Sequence, residues 1–479
     1  MKKLKSLIKK ILKTIIVIIG FGFSAEGQTP YTTNQFTYDS ILNVSYGTST
    51  DYAGNSVDLL LDIYKPVGDF NCARPVIVLV HGGAWIGGSK EDYNMVAMSR
   101  ELAKKGWVVA NINYRLGTHK AANYSMYALC SNTLSAPCGY IADSAEIFRA
   151  NFRGMQDTKG AIRFMKSRNI IDSTDINNVF IVGESAGGFI SLAAAFTDKL
   201  SEKSSSCYSI SSAPIPDTDL TTTYSCLPPN NNLSRPDLGS INGDLNLGNY
   251  DATVKGVSSF YGAVLDLSIL QQLTDTPCVY LFHQGSDVVV NYQYGKILGR
   301  TSWECYAQTN LCQSYFFYPF AYGNESIRQH FANLGTAAPV YQAEIINNYS
   351  YLNNCLSNGH SIDFFLLRIQ NMIDLFANKI ALTSNNPQTN CTNTGLEDVL
   401  TMKNLFKVYP NPANDKINII ADKSLIGSYY SLLDFTGKTL LKGKINSQSM
   451  AINIENLSSG IYLFNIEGNK VQTFKLLKK

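Results

Sequence analysis

The stretch Asn178-Val179-Phe180-Ile181-Val182-Gly183-Glu184-Ser185-Ala186-Gly187-Gly188-Phe189-Ile190-Ser191-Leu192-Ala193-Ala194-Ala195 decides the fold. Residues 178–182 read as a buried strand, and residues 188–195 read as a helix. Between them lies G-x-S-x-G, a strand that turns sharply into a helix at a serine. The turn is tight, so it needs small residues on both sides. Gly183 and Gly187 let strand and helix pass closely without Cβ clashes. The turn lifts the Ser185 hydroxyl above the sheet and aims the Ala186 amide at the same space. Ser185 is therefore a candidate nucleophile, set against the plainer reading of a buried serine.

A second motif lies upstream. Pro75-Val76-Ile77-Val78-Leu79-Val80 is a continuous apolar run rich in β-branched residues, which predicts a central strand buried on both faces. It ends in His81-Gly82-Gly83-Ala84-Trp85. Glycines there leave backbone N–H groups unshielded. Gly82 and Gly83, with the Ala186 amide, can hold a developing oxyanion, against the alternative of a plain glycine turn.

With these motifs the chain resembles the α/β-hydrolase superfamily, in its carboxylesterase and hormone-sensitive-lipase-like branch with an HGG oxyanion loop. The resemblance spans about Tyr38 to Ile373. It includes Leu59-Leu60-Leu61-Asp62-Ile63-Tyr64-Lys65-Pro66, Asn113-Tyr114-Arg115-Leu116-Gly117 and Phe152-Arg153-Gly154-Met155-Gln156-Asp157. Ala84 stands where several branches carry a third glycine or a tyrosine. The resemblance implies a mostly parallel central sheet flanked by helices. It also implies a catalytic order of Ser, then Asp or Glu, then His.

Five histidines exist: His81, His119, His283, His330 and His360. His81 belongs to the HGG loop, and His119 precedes the serine in a polar loop. His283 ends the strand Cys278-Val279-Tyr280-Leu281-Phe282, where packing accounts for it. His330 falls within Glu325 to Leu334, which reads as a helix ended by Gly335. His360 follows the expected last strand, Val340 to Ile346, in a loop of Asn, Gly and Ser. It is the expected base, with His330 as fallback. The resemblance places the acid at Asp287, in Gln284-Gly285-Ser286-Asp287-Val288-Val289; Asp266 is the runner-up. Asp157 and Glu184 read as structural, at a helix start and beneath the elbow.

The ends of the chain read differently. Met1 to Lys13 is lysine-rich, Thr14 to Phe23 is mostly apolar and small residues follow. Residues 1–27 read as a secretory signal peptide, too short for a comfortable membrane span, with a retained anchor as the alternative. A catalytic domain is expected over residues 28–383 and a polar linker over 384–404. Residues 405–479 show short alternating runs broken by turn residues, which suggests a small β-sandwich. Val408-Tyr409-Pro410-Asn411-Pro412 opens it; Gly460-Ile461-Tyr462-Leu463 and a basic tail close it. This unit resembles the C-terminal sorting domain of type IX secretion cargo in Gram-negative bacteria. A carbohydrate-binding or adhesive β-module is the alternative, disfavoured by few aromatics and no tryptophan.

Ten cysteines fit an exported chain with disulfides. Local pairs are expected between Cys130 and Cys138, Cys207 and Cys226, and Cys305 and Cys312, and a Cys355–Cys391 bridge would tie the linker to the His360 loop; Cys72 and Cys278 stay unassigned. No C-x-x-C pattern suggests zinc, and the chemistry needs no cofactor. The net charge is +3, but residues 1–27 hold six Lys and one Glu, so the remainder carries −2. That balance argues against nucleic acid as a partner. Polar segments at 117–148 and 203–250 are expected to shape substrate choice. The expectation is a secreted or cell-surface serine hydrolase cleaving a small-molecule or polysaccharide-linked ester through an acyl-enzyme. The same residues suit an amidase or peptidase, and a silent hydrolase fold used for adhesion is a third reading.

Overall fold

The computed structural model describes residues 30–117, 141–215, 231–271, 276–300, 318–347, 359–383, 406–421, 423–434, 438–467 and 471–479. The expected signal peptide and linker lie outside them, as do most of the first polar segment and part of the second. The chain divides into two compact units, Met1–Thr389 and Asn390–Lys479.

An eight-stranded sheet forms the first unit: β1 (Thr37–Thr50), β2 (Ser56–Val67), β3 (Arg74–Val80), β4 (Val108–Ile112), β5 (Thr174–Glu184), β6 (Gly256–Phe260), β7 (Cys278–Gln284) and β8 (Tyr341–Ile346). Their spatial order is β1-β2-β4-β3-β5-β6-β7-β8. β2 runs antiparallel to both its neighbours, and every pair from β4 through β8 is parallel. Parallel strands need crossovers over the sheet, so their faces are covered and their side chains buried. β4, β6 and β7 are buried at every residue.

The helices split between the faces. α2 (Ala145–Ser167), α3 (Ala186–Phe196) and α4 (Asn324–Leu334) pack on one face, through residues such as Ile147, Met155, Phe189, Ile190 and Phe331. α1 (Tyr93–Lys104) and α5 (Phe365–Thr383) pack on the other, through Met98, Leu102, Ile373 and Phe376. This is the α/β-hydrolase arrangement expected above, and it places the carboxyl ends of the parallel strands β3, β5 and β7 along one edge of the sheet.

The expected helix before the elbow is longer than the motif Phe152 to Asp157 suggested. It begins at Ala145, so Asp157 sits mid-helix and not at a helix start. Its carboxylate pairs with Arg115, Nη2 to Oδ1 at 2.7 Å, and accepts the Arg115 amide at 2.8 Å. A second correction concerns Cys207. It is a free thiol, as is Cys278, so the expected bridge to Cys226 is absent. Cys207 is buried and donates to the Phe148 carbonyl at 3.6 Å; burial pushes its thiol up to about 12. The Cys130–Cys138, Cys305–Cys312 and Cys355–Cys391 pairs fall outside the described residues.

In the second unit, two antiparallel sheets carry the strands. One holds β9 (Phe406–Tyr409), β10 (Lys416–Ala421) and β13 (Ser449–Asn453). The other orders β12 (Thr439–Lys444), β11 (Tyr429–Leu433), β14 (Gly460–Glu467) and β15 (Val471–Lys478). Ile417, Ile419, Leu432, Phe464, Ile466 and Leu476 form their shared core. β13 was not anticipated, because Ser449-Met450-Ala451-Ile452-Asn453 offers only a weak alternation. Among the described residues, no helix is long and apolar enough to cross a membrane.

Candidate active site

The elbow is built by steric exclusion. A Cβ on Gly187 would overlap the Val80 carbonyl oxygen, and one on Gly183 would overlap the Gly187 carbonyl oxygen. Ser185 caps α3 with φ +52° and ψ −123°, a region that side chains rarely occupy. Its amide donates to the Phe260 carbonyl at 2.9 Å, which ties the elbow to β6. Ala186 is the first residue of α3, so its N–H has no intrahelical acceptor and lies at the positive end of the helix.

The HGG loop packs against this turn. An ideal Cβ at Gly82 would lie 3.1 Å from the Ser185 Cβ. Gly83 has φ +107°, and a side chain there would run into the Gly87 carbonyl; the Gly83 carbonyl accepts the Ile86 and Gly87 amides at 3.0 Å. Ala84 (φ +52°) and Trp85 (φ +62°) continue in left-handed conformation. That accounts for a glycine at the Ala84 position in several branches of the resembling family. Trp85 is buried edge-on against Phe189, with ring centroids 5.1 Å apart. His81 is part of the scaffold: its Nδ1 donates to the Gly82 carbonyl at 2.7 Å, its ring stacks on Tyr114 and burial pushes its pKa down.

The strand ends bring the distant residues together. His360 Nε2 lies 2.7 Å from Ser185 Oγ, and His360 Nδ1 lies 2.8 Å from Asp287 Oδ2. Asp287 is fully buried, and its Oδ1 accepts the Val289 and Val290 amides at 2.8 and 2.9 Å. Burial pushes its pKa up, but His360 and His283 more than offset this and hold it below the usual carboxylate range. The loop carrying His360 is seated by Gly359 (φ +63°), where a Cβ would crowd the Asp287 amide at 2.6 Å. Gln284 Nε2 reaches across and donates to the Ser361 carbonyl at 2.8 Å.

The alternatives stand elsewhere. His330, on α4, faces the Leu270 carbonyl at 3.3 Å. Asp266 caps a short 3-10 turn by accepting the Ser268 amide at 2.8 Å. His119 lies outside the described residues.

Two neighbours of the site read as structural from the sequence alone. His283 is fully buried, and its Nε2 lies 3.1 Å from Asp287 Oδ2 and 3.0 Å from the Val290 carbonyl. Asp287 Oδ2 thus meets two imidazoles. The spacing His283–Asp287 is the signal that could have found it. Glu184 sits under the elbow as expected. Its Oε2 accepts the Tyr261 hydroxyl at 2.6 Å, and the Tyr261 ring lies 4.5 Å from that of His360. Burial raises the Glu184 carboxyl; the Tyr261 hydrogen bond and His360 oppose that rise.

A strand-ordered sheet with antiparallel β2, an elbow after β5 and a histidine loop after β8 leave one reading of the architecture. The first unit has the α/β-hydrolase fold. Residues 61–153 match the family model BD-FAE, and residues 407–479 match the model of the secretion system C-terminal sorting domain. That domain marks the chain for type IX export to the cell surface or exterior. Esterase cest-33 of Caenorhabditis elegans is 29% identical over 146 residues, 30% of this chain and 22% of that protein. Esterase LipC of Mycobacterium tuberculosis (strain ATCC 25618 / H37Rv) is 27% identical over 144 residues, 30% of this chain and 28% of that protein. The chain thus spans less than a third of the length of these relatives. A solved truncated carbohydrate esterase from gut microbiota aligns with 73% of this chain and 98% of its own, at 16% identity and TM-score 0.40.

Proposed function

We propose that the protein is an exported serine hydrolase that cleaves carboxylic esters through an acyl-enzyme. The observation that carries this reading is the single imidazole of His360 bridging Ser185 Oγ and Asp287 Oδ2. Ser185 attacks the ester carbonyl while His360 Nε2 takes its proton. The same imidazole then protonates the departing alkoxide. Asp287 fixes the ring through Nδ1–H and stabilises the imidazolium. The amides of Gly82, Gly83 and Ala186 receive the negative charge that develops on the carbonyl oxygen. Water then attacks the acyl group by the reverse proton path, and the carboxylic acid leaves. No cofactor enters this scheme.

The substrate in this reading is an ester of a small molecule or of a polysaccharide. Residues 28–383 form the catalytic domain, 384–404 a linker and 405–479 the unit read by the type IX machinery, after removal of a signal peptide at 1–27. Fluorophosphonate labelling of the full chain, with matched ester and amide substrates, tests it. Labelling at Ser185 and faster ester cleavage are expected. Faster cleavage of the amide would make it an amidase, and an unlabelled serine would leave a silent fold.

A further inference from the structure

Asp287 leaves β7 by a tight turn, in which its amide donates to the Gln284 carbonyl at 3.1 Å. The turn brings its carboxylate back to His283, the last histidine of β7, and both side chains are fully buried. His283 Nε2 faces two acceptors, Asp287 Oδ2 at 3.1 Å and the Val290 carbonyl at 3.0 Å. Two acceptors on one nitrogen assign the proton to Nε2. Nδ1 has no hydrogen-bond partner among the described residues. A second proton there would create a buried cation without an acceptor. His283 is thus held in one neutral tautomer, and towards Asp287 it can only donate.

The Asp287 carboxylate is saturated. Oδ2 accepts from His283 and His360, and Oδ1 accepts the Val289 and Val290 amides. Other polar groups surround the pair. Ser185 and Glu184 face His360 from the elbow, and the Tyr261 ring faces it from the end of β6. Arg300 Nη1 donates to the Gly285 and Asp287 carbonyls at 2.9 Å. Among the described residues, none of these bonds a carboxylate oxygen of Asp287. His283 is therefore the one side chain that shares this carboxylate with His360.

We propose that His283 is a positioning residue for the base: its Nε2–H holds Asp287 Oδ2 in line with His360 Nδ1 and tempers the pull of that oxygen on the imidazolium. The inference rests on the reading of Ser185, His360 and Asp287 given above. Without the donor, no solvent reaches the buried oxygen to replace it. The oxygen is then free to turn, and its charge falls on the one N–H left to it, that of His360. That favours the protonated base, whereas attack by Ser185 needs the neutral one. His283 therefore keeps His360 available at lower pH.

The test compares the full chain with H283F and H283Q on a soluble ester between about pH 5 and pH 9. In H283F the acid limb of kcat/KM is expected to move up by about half a pH unit, with plateau kcat about tenfold lower and KM within about twofold. H283Q carries an amide N–H that reaches the position of Nε2. It is expected to regain the acid limb of the parent and most of its turnover. An acid limb that stays in place in H283F overturns the proposal, because a residue that only fills space lowers kcat without moving it. So does H283Q performing no better than H283F. Nuclear magnetic resonance of the parent with isotope-labelled histidine gives a readout that needs no variant to fold and no ester to be cleaved. His283 is expected to keep its Nε2–H tautomer through the pH range in which His360 titrates, and a proton on its Nδ1 in that range overturns the proposal. A parent that cleaves no ester removes the hydrolase reading instead, and the tautomer of His283 still decides its role.

Discussion

The two halves of the candidate site are held by different physics. The HGG loop and the elbow are fixed by what their backbones cannot accommodate: Gly83, Gly183 and Gly187 have no room for a side chain. Asp287 and His360 are fixed by what their side chains bond, through the Val289 and Val290 amides, His283 and the Gln284–Ser361 link. The first half is rigid by exclusion and tolerates almost no substitution. The second is rigid by hydrogen bonding, so its members fail by degrees.

Substitution of the nucleophile should give the largest effect. Ser185→Ala is expected to lower ester turnover by about 10⁴-fold or more, with little change in melting temperature, since only a hydroxyl is removed. Activity within about tenfold of the parent would remove Ser185 from the chemistry. The base comes next. His360→Ala should lose on the order of 10³-fold in kcat, whereas His330→Ala should stay within about threefold. The reverse ranking would shift the base onto α4.

His283 tests whether the second half fails by degrees. His283→Phe removes the Nε2 donor to Asp287 while keeping a ring, and turnover should fall about tenfold, far less than for His360. A loss as deep as that of His360→Ala would make the two imidazoles equal partners. No loss would make His283 a packing residue, as the sequence alone suggested.

A smaller effect is expected from Glu184, at the base of the elbow. Its folded pKa lies above the ordinary glutamate value, because burial disfavours the charged form. Its contribution to stability is therefore complete below the ordinary value and is lost as pH rises through the folded one. Denaturant melts between about pH 4 and pH 7 should show that decline in the parent and a flatter profile in Glu184→Gln. Parallel profiles would mean that Glu184 is ionised without penalty.

The smallest effect on catalysis should come from removing the sorting unit. Both halves of the site precede Thr383, so a chain ending there should hydrolyse a small soluble ester within about twofold of the full chain. In the native host it should remain in the periplasm. Release to the exterior with loss of binding to an insoluble substrate would make residues 405–479 a binding module.

This contrast explains what the sequence made legible. Steric exclusion leaves a residue-type signature, so glycines at 82, 83, 183 and 187 mark their half by local spacing. The strands β3, β5 and β7, buried by their neighbours, were equally plain as apolar runs. Hydrogen-bond fixation leaves a weaker trace. Asp287 was placed by resemblance, and His360 by setting aside four other histidines. The partners that seat them, His283 and Gln284, look like ordinary strand residues until β7 and the His360 loop are seen together. The helix containing Asp157 was read too short because its first residues, Ala145 to Phe148, were counted with the polar segment before them.

The left-handed backbone at Ala84 and Ser185 has a consequence for anyone improving this protein. Glycine at either position relieves conformational strain of about 1–3 kcal/mol, set against roughly 0.5–1 kcal/mol of added chain freedom when unfolded. A selection that rewarded heat resistance alone would therefore accept both changes. At Ala84 it would remove a methyl group and leave the hydroxyl above the sheet untouched. At Ser185 it would enrich a hardier protein without the hydroxyl that the proposed mechanism uses for attack.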